Sequence, residues 1–577
     1  MNSLPSKWIC RNNNKASREL LKKTGYSAIL LELLAKRGVI EEKDVSLFLN
    51  PSLGNLHNPM KLPGIREGIK RVKEAIEKKE KILIFGDYDA DGVISASLMY
   101  KFLKDLGLEA DVYIPDRFNE GYDLSINFFR KISNECKYDL IISVDCGTNS
   151  VKVQKFVMDN KTPDVIVCDH HNQTAELDTE SHRYIVINPG LKNSAYPFRY
   201  LSGAAVTFKF ITGVLRELDD ERKKKFEKGY LTEMLDLVAI STIADIMPLI
   251  DENRIIVKRG LAVLKKTVNP GLKKMIGTLM QDKKYLDEHD IGFIIAPRLN
   301  ASGRVKNARS SFELLTEDDG DIVDRIVDEL NCFNKERQEI QKNIFDEIVE
   351  NNDFEKIVAE KRIFIDRSEN WNEGVLGVVA SNIVREFNIP AILFKETKGK
   401  LKGSGRSIDK FDLHGNLVLC SDLFESFGGH RLACGITMDV SNYETFCDNF
   451  MKIACENLKI QDVKKKFIFD MEINFNDIAG GIIREINLLK PFGCGNPEPC
   501  FVTTNCTIDD FSFLSDEKHI RLKLKQGGIT MDAIMFGVDD KAKNKIMKNK
   551  KINILYKIKE NNRGNFSAVQ LVILDLF

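Results

Sequence analysis

Four short apolar runs alternate with helical patterns between residues 80 and 190, and this alternation restricts the fold more than any other feature of the chain. The runs are rich in Ile and Val, and they are ILIF (82–85), DLIISVD (139–145), DVIVCD (164–169) and RYIVINP (183–189). Strands that are buried on both faces and separated by helices are typical of parallel sheets. The sequence therefore predicts an α/β domain built on a parallel sheet.

Two further patterns follow this domain. Residues 321–350 read as one long, charged, amphipathic helix, and residues 362–394 repeat the strand–helix–strand pattern. From Lys466 onwards, short alternating strands separated by Gly turns are typical of a small antiparallel β barrel. The predicted fold class is α/β, with a parallel-sheet domain, a long connecting helix, a second α/β domain and a C-terminal antiparallel barrel.

Length and composition limit the class of protein. The 577 residues suffice for three or four domains, and 85 Lys and Arg balance 85 Asp and Glu. Any surface that binds a polyanion must therefore be local. The N-terminus lacks the apolar stretch of a signal peptide, and we find no uncharged apolar run long enough to span a bilayer. The 12 Cys form no CxxC pair, so a reducing, cytoplasmic setting is expected.

Carboxylates follow three of the predicted strands. The carboxyl ends of parallel strands share one edge of a sheet, so these groups are expected to lie together. One more acid stands in the apolar stretch VAISTIADIMPL, where burying an unpaired carboxylate would be costly. The candidate site residues are Asp87, Asp89, Asp91, Asp145, Asp169, His170, His171 and Asp245.

Carboxylates gathered in this way repel one another unless a cation lies among them. Mg²⁺ and Mn²⁺ prefer oxygen ligands, and Mn²⁺ also accepts imidazole, so the set suits two such ions. Two simpler interpretations stay open. The DxDxDG loop resembles half of a Ca²⁺ loop, although the Glu expected at its last position is absent. An Asp at a strand end is also often only a helix N-cap.

The motifs GDYDADG, SVDCG, CDHH and IADIMPL together resemble the four motifs of the DHH phosphoesterase superfamily. Five later motifs resemble, in order, those of the bacterial exonucleases of this superfamily that are specific for single-stranded DNA. They are NASGRV (300–305), EGVLGVVAS (373–381), GSGRS (403–407), SFGGH (426–430) and PFGCGNPEP (491–499). The resemblance runs from about residue 45 to the C-terminus.

The resemblance implies how the chain is divided. It implies an N-terminal extension (1–44), a DHH catalytic domain (45–320), a connecting helix (321–352), a DHHA1 substrate-binding domain (353–458) and an OB-like nucleic-acid-binding domain (459–577). This division agrees with the pattern of strands and helices.

The resemblance also implies roles at the metal centre. The implied metal ligands are Asp87, Asp89, Asp91, Asp145, His170 and Asp245. Among the catalytic groups, Asp145 is expected to bridge two ions, while Asp169 and His171 are expected to orient His170. Relatives often carry His where this chain has Phe85, so the first ion has one ligand fewer or uses Asp87.

For the substrate, the resemblance implies contacts from Arg304, Ser381, Arg406 and His430. The Gly and Ser of GSGRS would free backbone N–H groups for an anion, and its Arg offers a bidentate fork to phosphate. Without the resemblance, an ordinary turn with a solvated Arg is the simpler interpretation. Asn382 stands where relatives often have Arg.

The predicted barrel offers a second candidate DNA-binding surface. Residues 541–563 are rich in Lys, and the rings of Phe511, Phe513, Phe536 and Tyr556 could stack bases in an OB-type groove. The alternative is that the rings fill the barrel while the Lys side chains keep its edge soluble.

Together these features predict a Mn²⁺- or Mg²⁺-dependent enzyme that hydrolyses phosphodiester bonds of single-stranded DNA from the 5′ end, in repair and recombination. A narrow cleft between two domains would exclude a duplex. Two alternatives stay open: an oligoribonuclease or cyclic-dinucleotide phosphodiesterase of the same superfamily, and a catalytically inactive DNA-binding scaffold. The family implies a helicase and a single-strand-binding protein as partners, and a monomer is expected.

Overall fold

The computed structural model of the chain describes residues 7–12, 14–117, 123–135, 138–281, 283, 285–479, 481–563 and 566–577. Within these ranges, no helix has both the length and the apolar character needed to cross a membrane. The described chain forms three units, each with its own sheet, and a long helix joins the first two.

An N-terminal segment, residues 7–49, precedes the first unit. It contains strand β1 (Trp8–Cys10) and three helices, α1 (Arg18–Thr24), α2 (Ala28–Ala35) and α3 (Glu42–Leu49). Strand β1 pairs in parallel with a strand more than 450 residues later, Phe467–Phe469. The segment therefore belongs structurally to the third unit, although the first unit follows it in the chain.

The first unit is built on an all-parallel, five-stranded sheet. Its strands are β2 (Ile82–Gly86), β3 (Ala110–Tyr113), β4 (Leu140–Val144), β5 (Asp164–Cys168) and β6 (Tyr184–Ile187), in the order β3-β2-β4-β5-β6. Strands β2 and β4 are buried throughout, with apolar clusters on both faces of the sheet. The four predicted strands are confirmed. The edge strand β3 was not predicted, because its sequence ADVY is short and half-exposed.

In the described part of the first unit, thirteen helices surround and extend this sheet. In chain order, α4–α16 are Ile65–Lys78, Ala90–Leu106, Ile126–Glu135, Val151–Asp159, Gly203–Glu217, Asp220–Lys223, Tyr230–Glu233, Leu235–Ala244, Asp251–Leu264, Pro270–Leu279, Glu288–Asp290, Ala296–Val305 and Arg309–Thr316. A π-helical turn, Ile291–Ile295, joins α14 to α15.

Helix α17 (Gly320–Asn351) is the predicted long helix, and it contributes to two cores. Asp319 caps its start by accepting hydrogen bonds from the amides of Asp321 and Ile322. Near its N-terminus, Val323 and Leu330 pack into the core of the first unit. Near its C-terminus, Ile348 packs into the core of the second unit. The helix therefore fixes the spacing between the two units.

The second unit is a mixed sheet with helices. Its strands are β7 (Phe364–Ser368), β8 (Ala391–Thr397), β9 (Lys400–Arg406), β10 (Ser426–His430) and β11 (Ala433–Asp439), in the order β10-β11-β9-β8-β7. Its helices are α18 (Phe354–Glu360), α19 (Glu373–Phe387), α20 (Leu413–Leu417) and α21 (Tyr443–Asn457).

The motif GSGRS was expected to leave backbone N–H groups free for an anion, and this expectation is wrong. Most of the motif lies in β9, which pairs with β8 on one side and β11 on the other, so its backbone is engaged in the sheet. Its glycines serve close packing instead. A Cβ on Gly403 would lie 2.4 Å from the ring of Phe394.

Among the described residues the third unit has seven strands, five of which form a closed barrel. Its strands are β12 (Phe467–Phe469), β13 (Met471–Glu472), β14 (Phe501–Leu514), β15 (His519–Gln526), β16 (Ile529–Phe536), β17 (Lys551–Arg563) and β18 (Phe566–Leu576). The order β14-β15-β16-β18-β17 closes because β17 pairs back onto β14. Helices α22 (Phe475–Ala479), α23 (Ile482–Leu488) and α24 (Asp540–Lys548) complete it. The predicted barrel is confirmed, except that β16 and β18 run parallel.

The N-terminal segment completes the core of this barrel unit. Leu30, Leu31 and Leu34 of α2 belong to the same buried cluster as the barrel interior. Arg11 of the segment pairs at 2.9 Å with Asp470, whose side chain is fully buried. The segment is thus packed as a part of the barrel unit rather than as a free extension.

Helix α12 links the first unit to the barrel unit. The Arg254 guanidinium donates to the carbonyl oxygens of Phe48, Leu488, Leu489 and Lys490, at 2.9–3.2 Å. The neighbouring Leu249 amide donates to the Cys494 carbonyl at 2.7 Å. The loop that precedes α12 is therefore held by the PFGCGNPEP segment.

Candidate metal centre

The predicted acidic residues converge at the carboxyl edge of the parallel sheet. The amide of Asp145, just beyond β4, donates to the carbonyl of Cys168 at the end of β5 at 2.8 Å. This bond brings Asp145 beside the Asp169–His171 turn. Asp145 has φ 63°, a left-handed conformation that non-glycine residues seldom adopt and that is concentrated at functional sites.

Metal-ligating atoms cluster here in groups. Within each group, the potential ligand atoms lie within 4.8 Å of one another. One group contains Asp87, Asp89 and Asp145, and a second contains Asp91, His170 and Asp245. The groups adjoin, because His170 Nε2 lies 3.2 Å from Asp145 Oδ1 and 3.6 Å from Asp245 Oδ2. The arrangement offers two adjoining sites with Asp145 between them.

The side chains fit divalent cations. Asp145 Oδ1 and Asp245 Oδ2 are buried, and among the described residues neither accepts a hydrogen bond. His170 Nε2 is close to both oxygens but is not aligned to donate to them. Burial, followed by the neighbouring carboxylates, raises the pKa of Asp145 and Asp245 well above the ordinary range. Buried carboxylates without donors are stabilised by a cation, and this donor set of oxygens with one imidazole suits Mn²⁺ or Mg²⁺.

The remaining acids of the first motif also anchor the backbone. Asp89 caps α5, accepting at Oδ1 from the amides of Asp91 and Gly92, so the N-cap interpretation holds for one of its oxygens. Both oxygens of Asp91 are engaged, by the Gly203 and Ala204 amides at 2.7 and 2.8 Å and by the Ser241 hydroxyl at 2.5 Å. Because α5 begins at Ala90, the motif does not continue as a Ca²⁺ loop.

The Asp169 carboxylate forms hydrogen bonds with both histidines. Its Oδ1 accepts from the backbone amides of His170 and His171 and lies 2.8 Å from His171 Nδ1, while Oδ2 accepts from the Thr148 amide. Its side chain thus orients the ring of His171, whereas orientation of His170 was expected. Burial lowers the pKa of His171, but the Asp169 carboxylate outweighs this and raises it to about 10.

Phe85 occupies the position where relatives often carry His. Its side chain is buried in an aromatic cluster, with ring centroids 5.8 Å from Tyr113 and 4.8 Å from Phe128. In this chain the position therefore serves the core and offers no ligand atom to the neighbouring acids.

Arginines from both units lie beside the acids. Arg304 is in helix α15 and donates to the Gly374 carbonyl at the start of α19 at 3.2 Å. Arg406, at the end of β9, lies against Gly377 of the same helix. Burial, and then the charge of Arg117, lowers the pKa of Arg304 to about 10 and also lowers that of Arg406. Neither is a solvated Arg on a turn, and the charge of Arg117 acts on both guanidiniums.

Arg117 is a candidate residue that the sequence analysis missed. It follows the edge strand β3, and its guanidinium lies over the Tyr88 ring, 5.1 Å from the centroid. The rule that located the acids, namely inspection of strand ends, would have found it if β3 had been recognised.

The other predicted substrate residues come from the second unit. His430 is exposed at the end of β10, and partial burial, followed by the charges of His171 and His414, lowers its pKa, so His430 lies within electrostatic reach of His171 in the first unit. Ser381 is exposed on α19, one turn after Gly377, whose carbonyl it contacts at 2.9 Å. Asn382 accepts from Arg385 of its own helix at 3.0 Å.

The four barrel aromatics have different environments. Tyr556 is fully buried, and its hydroxyl lies 2.8 Å from that of Thr503, so it fills the barrel and is not available to stack bases. Phe536 and Phe511 are exposed, and Phe513 packs beside Phe511 with ring centroids 5.8 Å apart. These three rings remain candidates for base contact.

Comparison with known families and proteins follows the same division of the chain. Three family models match: "DHH family, N-terminal domain" over residues 81–242, "DHHA1 domain" over 358–456 and "RecJ OB domain" over 469–575. The single-stranded-DNA-specific exonuclease RecJ of Bacillus subtilis is 34% identical over 571 residues, which cover 98% of this chain and 70% of that protein. The RecJ of Haemophilus influenzae is 30% identical, over 91% of this chain and 92% of that protein.

Solved structures agree in fold. The structure of Thermus thermophilus RecJ with Mn²⁺ has a TM-score of 0.83 at 24% identity, covering all of this chain and 80% of that one. A structure described as exonuclease RecJ bound to manganese has a TM-score of 0.58 at 27% identity, over 71% of this chain and all of that one.

Proposed function

Because the chain belongs to the RecJ family of single-stranded-DNA-specific exonucleases, we propose that it degrades single-stranded DNA by metal-dependent hydrolysis of phosphodiester bonds. The observation that carries the proposal is the pair of adjoining ligand groups with Asp145 between them, in which two buried carboxylate oxygens lack donors. The presence of a matching RecJ OB domain favours this function over the shorter phosphodiesterases of the superfamily.

The residues proposed to hold two Mn²⁺ or Mg²⁺ ions are those of the two ligand groups. Asp87, Asp89 and Asp145 would hold one ion, and Asp91, His170 and Asp245 would hold the other, with Asp145 next to both. Asp91 also anchors α8 against the centre. When bound, the ions would lower the pKa of the attacking water and neutralise charge that develops on the phosphate. RecJ structures with Mn²⁺ and with Mg²⁺ support this choice of metals.

The other residues are proposed to position the strand. The charges of Arg117, Arg304 and Arg406 act on one another, and a guanidinium can hold a phosphate through two parallel hydrogen bonds. His171 is fixed through Nδ1 by Asp169, which leaves its Nε2 for the scissile phosphate. His430 approaches from the second unit, so substrate would bind between the two units.

The biological setting is proposed from the family. We propose digestion from the 5′ end, a role in DNA repair and recombination in the cytoplasm, and action as a monomer beside a helicase and a single-strand-binding protein. The barrel unit would supply a second contact to the strand through Phe536, Phe511 and the Lys-rich residues 541–563.

The test is digestion of a 3′-labelled oligonucleotide with Mn²⁺, as a single strand and as a blunt duplex. We expect a descending ladder of labelled fragments from the single strand and an intact duplex. Asp145→Ala should abolish the ladder, whereas Asp159→Ala, which removes an exposed acid of α7, should keep it. Immediate release of labelled mononucleotide would reverse the polarity, and intact single strands with the wild type would refute the activity.

A further inference from the structure

The turn that follows Asp245 places an unusual residue beside the metal centre. Helix α11 ends at Ala244, and Asp245 is its C-cap. The Met247 amide donates to the Thr242 carbonyl at 3.0 Å, and the Ile246 amide donates to the Ile243 carbonyl at 3.1 Å. These two bonds define a Schellman motif, in which the residue after the cap adopts the left-handed conformation.

Ile246 occupies this left-handed position, with φ 56°. The position is usually Gly or Asn, because a side chain branched at Cβ clashes with the backbone there. The backbone therefore gives no reason for an isoleucine, and glycine would relieve strain at the same place.

Packing gives no reason for an isoleucine either. The side chain is 73% exposed, the highest value among the large apolar side chains of the described residues. Exposure alone would need no explanation, but backbone strain kept at an unburied apolar residue next to the metal centre points to a contact with something outside the protein.

The turn is also rigid. The buried Asn253 side chain donates to the Pro248 carbonyl at 3.1 Å and to the Tyr200 carbonyl at 2.6 Å. The Leu249 amide is held by Cys494 of the third unit. Ile246 is therefore presented on a fixed loop, as a preorganised binding surface requires.

We propose that Ile246 contacts the nucleobase of the nucleotide next to the scissile phosphate, and so helps to position the reacting strand. This inference rests on the proposed exonuclease function. Consecutive Cα atoms are about 3.8 Å apart, so Ile246 lies within one residue of a carboxylate of the centre. A base beside a phosphate held there is the largest flat apolar surface that the substrate can offer, and contact with a base face does not depend on sequence.

The test compares Ile246→Gly, Ile246→Val and the wild type on two substrates. One is a 5′-phosphorylated single strand, and the other carries abasic nucleotides at its first two positions. We expect the wild type and Ile246→Val to favour the normal strand by about tenfold in kcat/KM, as the loss of one base contact implies. Ile246→Gly should degrade both strands equally, at the lower rate.

Two controls separate base contact from structural damage. Ile246→Gly should keep the Mn²⁺ affinity of the wild type and should unfold at a higher temperature, because Gly relieves the left-handed strain. Ile40→Ala, at an exposed isoleucine of the N-terminal segment, should keep the preference for the normal strand.

The experiment distinguishes failure of the base contact from failure of the proposed exonuclease function. If the wild type does not distinguish the two strands, or if Ile246→Gly retains the preference, the contact is refuted while the exonuclease function stands. Loss of Mn²⁺ affinity in Ile246→Gly would also refute it, by assigning Ile246 to the placement of Asp245. A wild type that digests neither strand would refute both proposals.

Discussion

Asp145 lies among other carboxylates that repel it. A cation bound there should therefore stabilise the folded protein. We expect Mn²⁺ to raise the free energy of unfolding of the wild type, by about 2.7 kcal/mol for one site at a free concentration one hundred times Kd. Asp145→Asn should lose most of this increase, because Asp145 lies between both groups. Its kcat should fall at least about a hundredfold.

Thermal unfolding during a Mn²⁺ titration measures the effect. Asp159→Asn, at an exposed position of the same unit, should respond like the wild type. An Asp145→Asn protein that gains as much stability from Mn²⁺ as the wild type would rule out a shared ligand at this position.

Arg117 should act through the phosphate backbone. Its removal in Arg117→Ala should raise KM for strands of any sequence and reduce the slope of log binding against log salt by about 0.7, the value for one phosphate on a single strand. Filter binding across a salt series, with Ca²⁺ replacing Mn²⁺ to prevent digestion, measures the slope.

Arg66→Ala, at an exposed arginine of α4, is the matched control and should leave the slope unchanged. An unaltered slope in Arg117→Ala, or a loss that depends on sequence, would contradict a phosphate contact.

At the scale of residues, sequence identified most of the acids because they follow recognisable buried strands, and it identified Asp245 because this acid stands in an apolar helical stretch. It missed Arg117 because β3 is a half-exposed edge strand without an apolar run. It could not show that both oxygens of Asp91 face α8 or that Asp169 holds His171, since those bonds depend on how distant elements meet. For Tyr556 it left stacking and packing equally open, and burial decides for packing.

At the scale of elements, the start of helix α8 lies directly against the metal centre. A Cβ on Gly203 would lie 2.5 Å from Asp145 Oδ1, so no side chain fits there. We expect Gly203→Ala to displace Asp145 and to weaken Mn²⁺ binding at least about tenfold. Titration calorimetry with Mn²⁺ would measure the loss.

Gly213→Ala provides the matched control in the same helix. Its new methyl would meet the side chains of Ile69, at 3.0 Å, and Ile65, at 3.3 Å, and none of the acids. It should keep Mn²⁺ affinity. Equal affinity in both variants would mean that α8 does not define the site.

Helices and strands were predictable where apolar residues form a clear run, as in the buried strands, or a regular helical repeat, as in α17. The motif GSGRS shows the limit. Its Gly and Ser composition indicates a turn, but its partners β8 and β11 place it in the centre of a sheet, where Gly403 leaves room for the Phe394 ring. Long-range pairing overrode local preference there.

At the scale of the whole molecule, the junction around α12 joins the first unit to the barrel unit. We expect it to make the stability of the folded protein depend on pH. Lys258 donates to the Leu49 carbonyl at 2.8 Å, and burial, followed by the charges of Arg254 and Arg259, lowers its pKa from 10.5 to about 8. Between these values the unfolded chain holds a proton that the folded protein has released, so stability rises with pH.

The comparison is the wild type against Lys258→Met, which cannot titrate. From pH 7.5 to about 9.5, the unfolding temperature of the wild type should rise relative to that of the variant. Unfolding temperatures that change in parallel would show that Lys258 keeps its ordinary pKa in the folded protein.

The packing of the N-terminal segment into the barrel sets an order for biosynthesis. Leu30, Leu31 and Leu34 leave the ribosome early, but the β14–β18 barrel that buries them is made last. The parallel-sheet unit can fold first, while these leucines stay exposed or bound to a chaperone until the barrel is synthesised. A chain interrupted before residue 501 would thus carry a complete set of candidate metal ligands together with an uncovered apolar helix. The exposed helix would allow proteases to recognise and degrade such an incomplete chain.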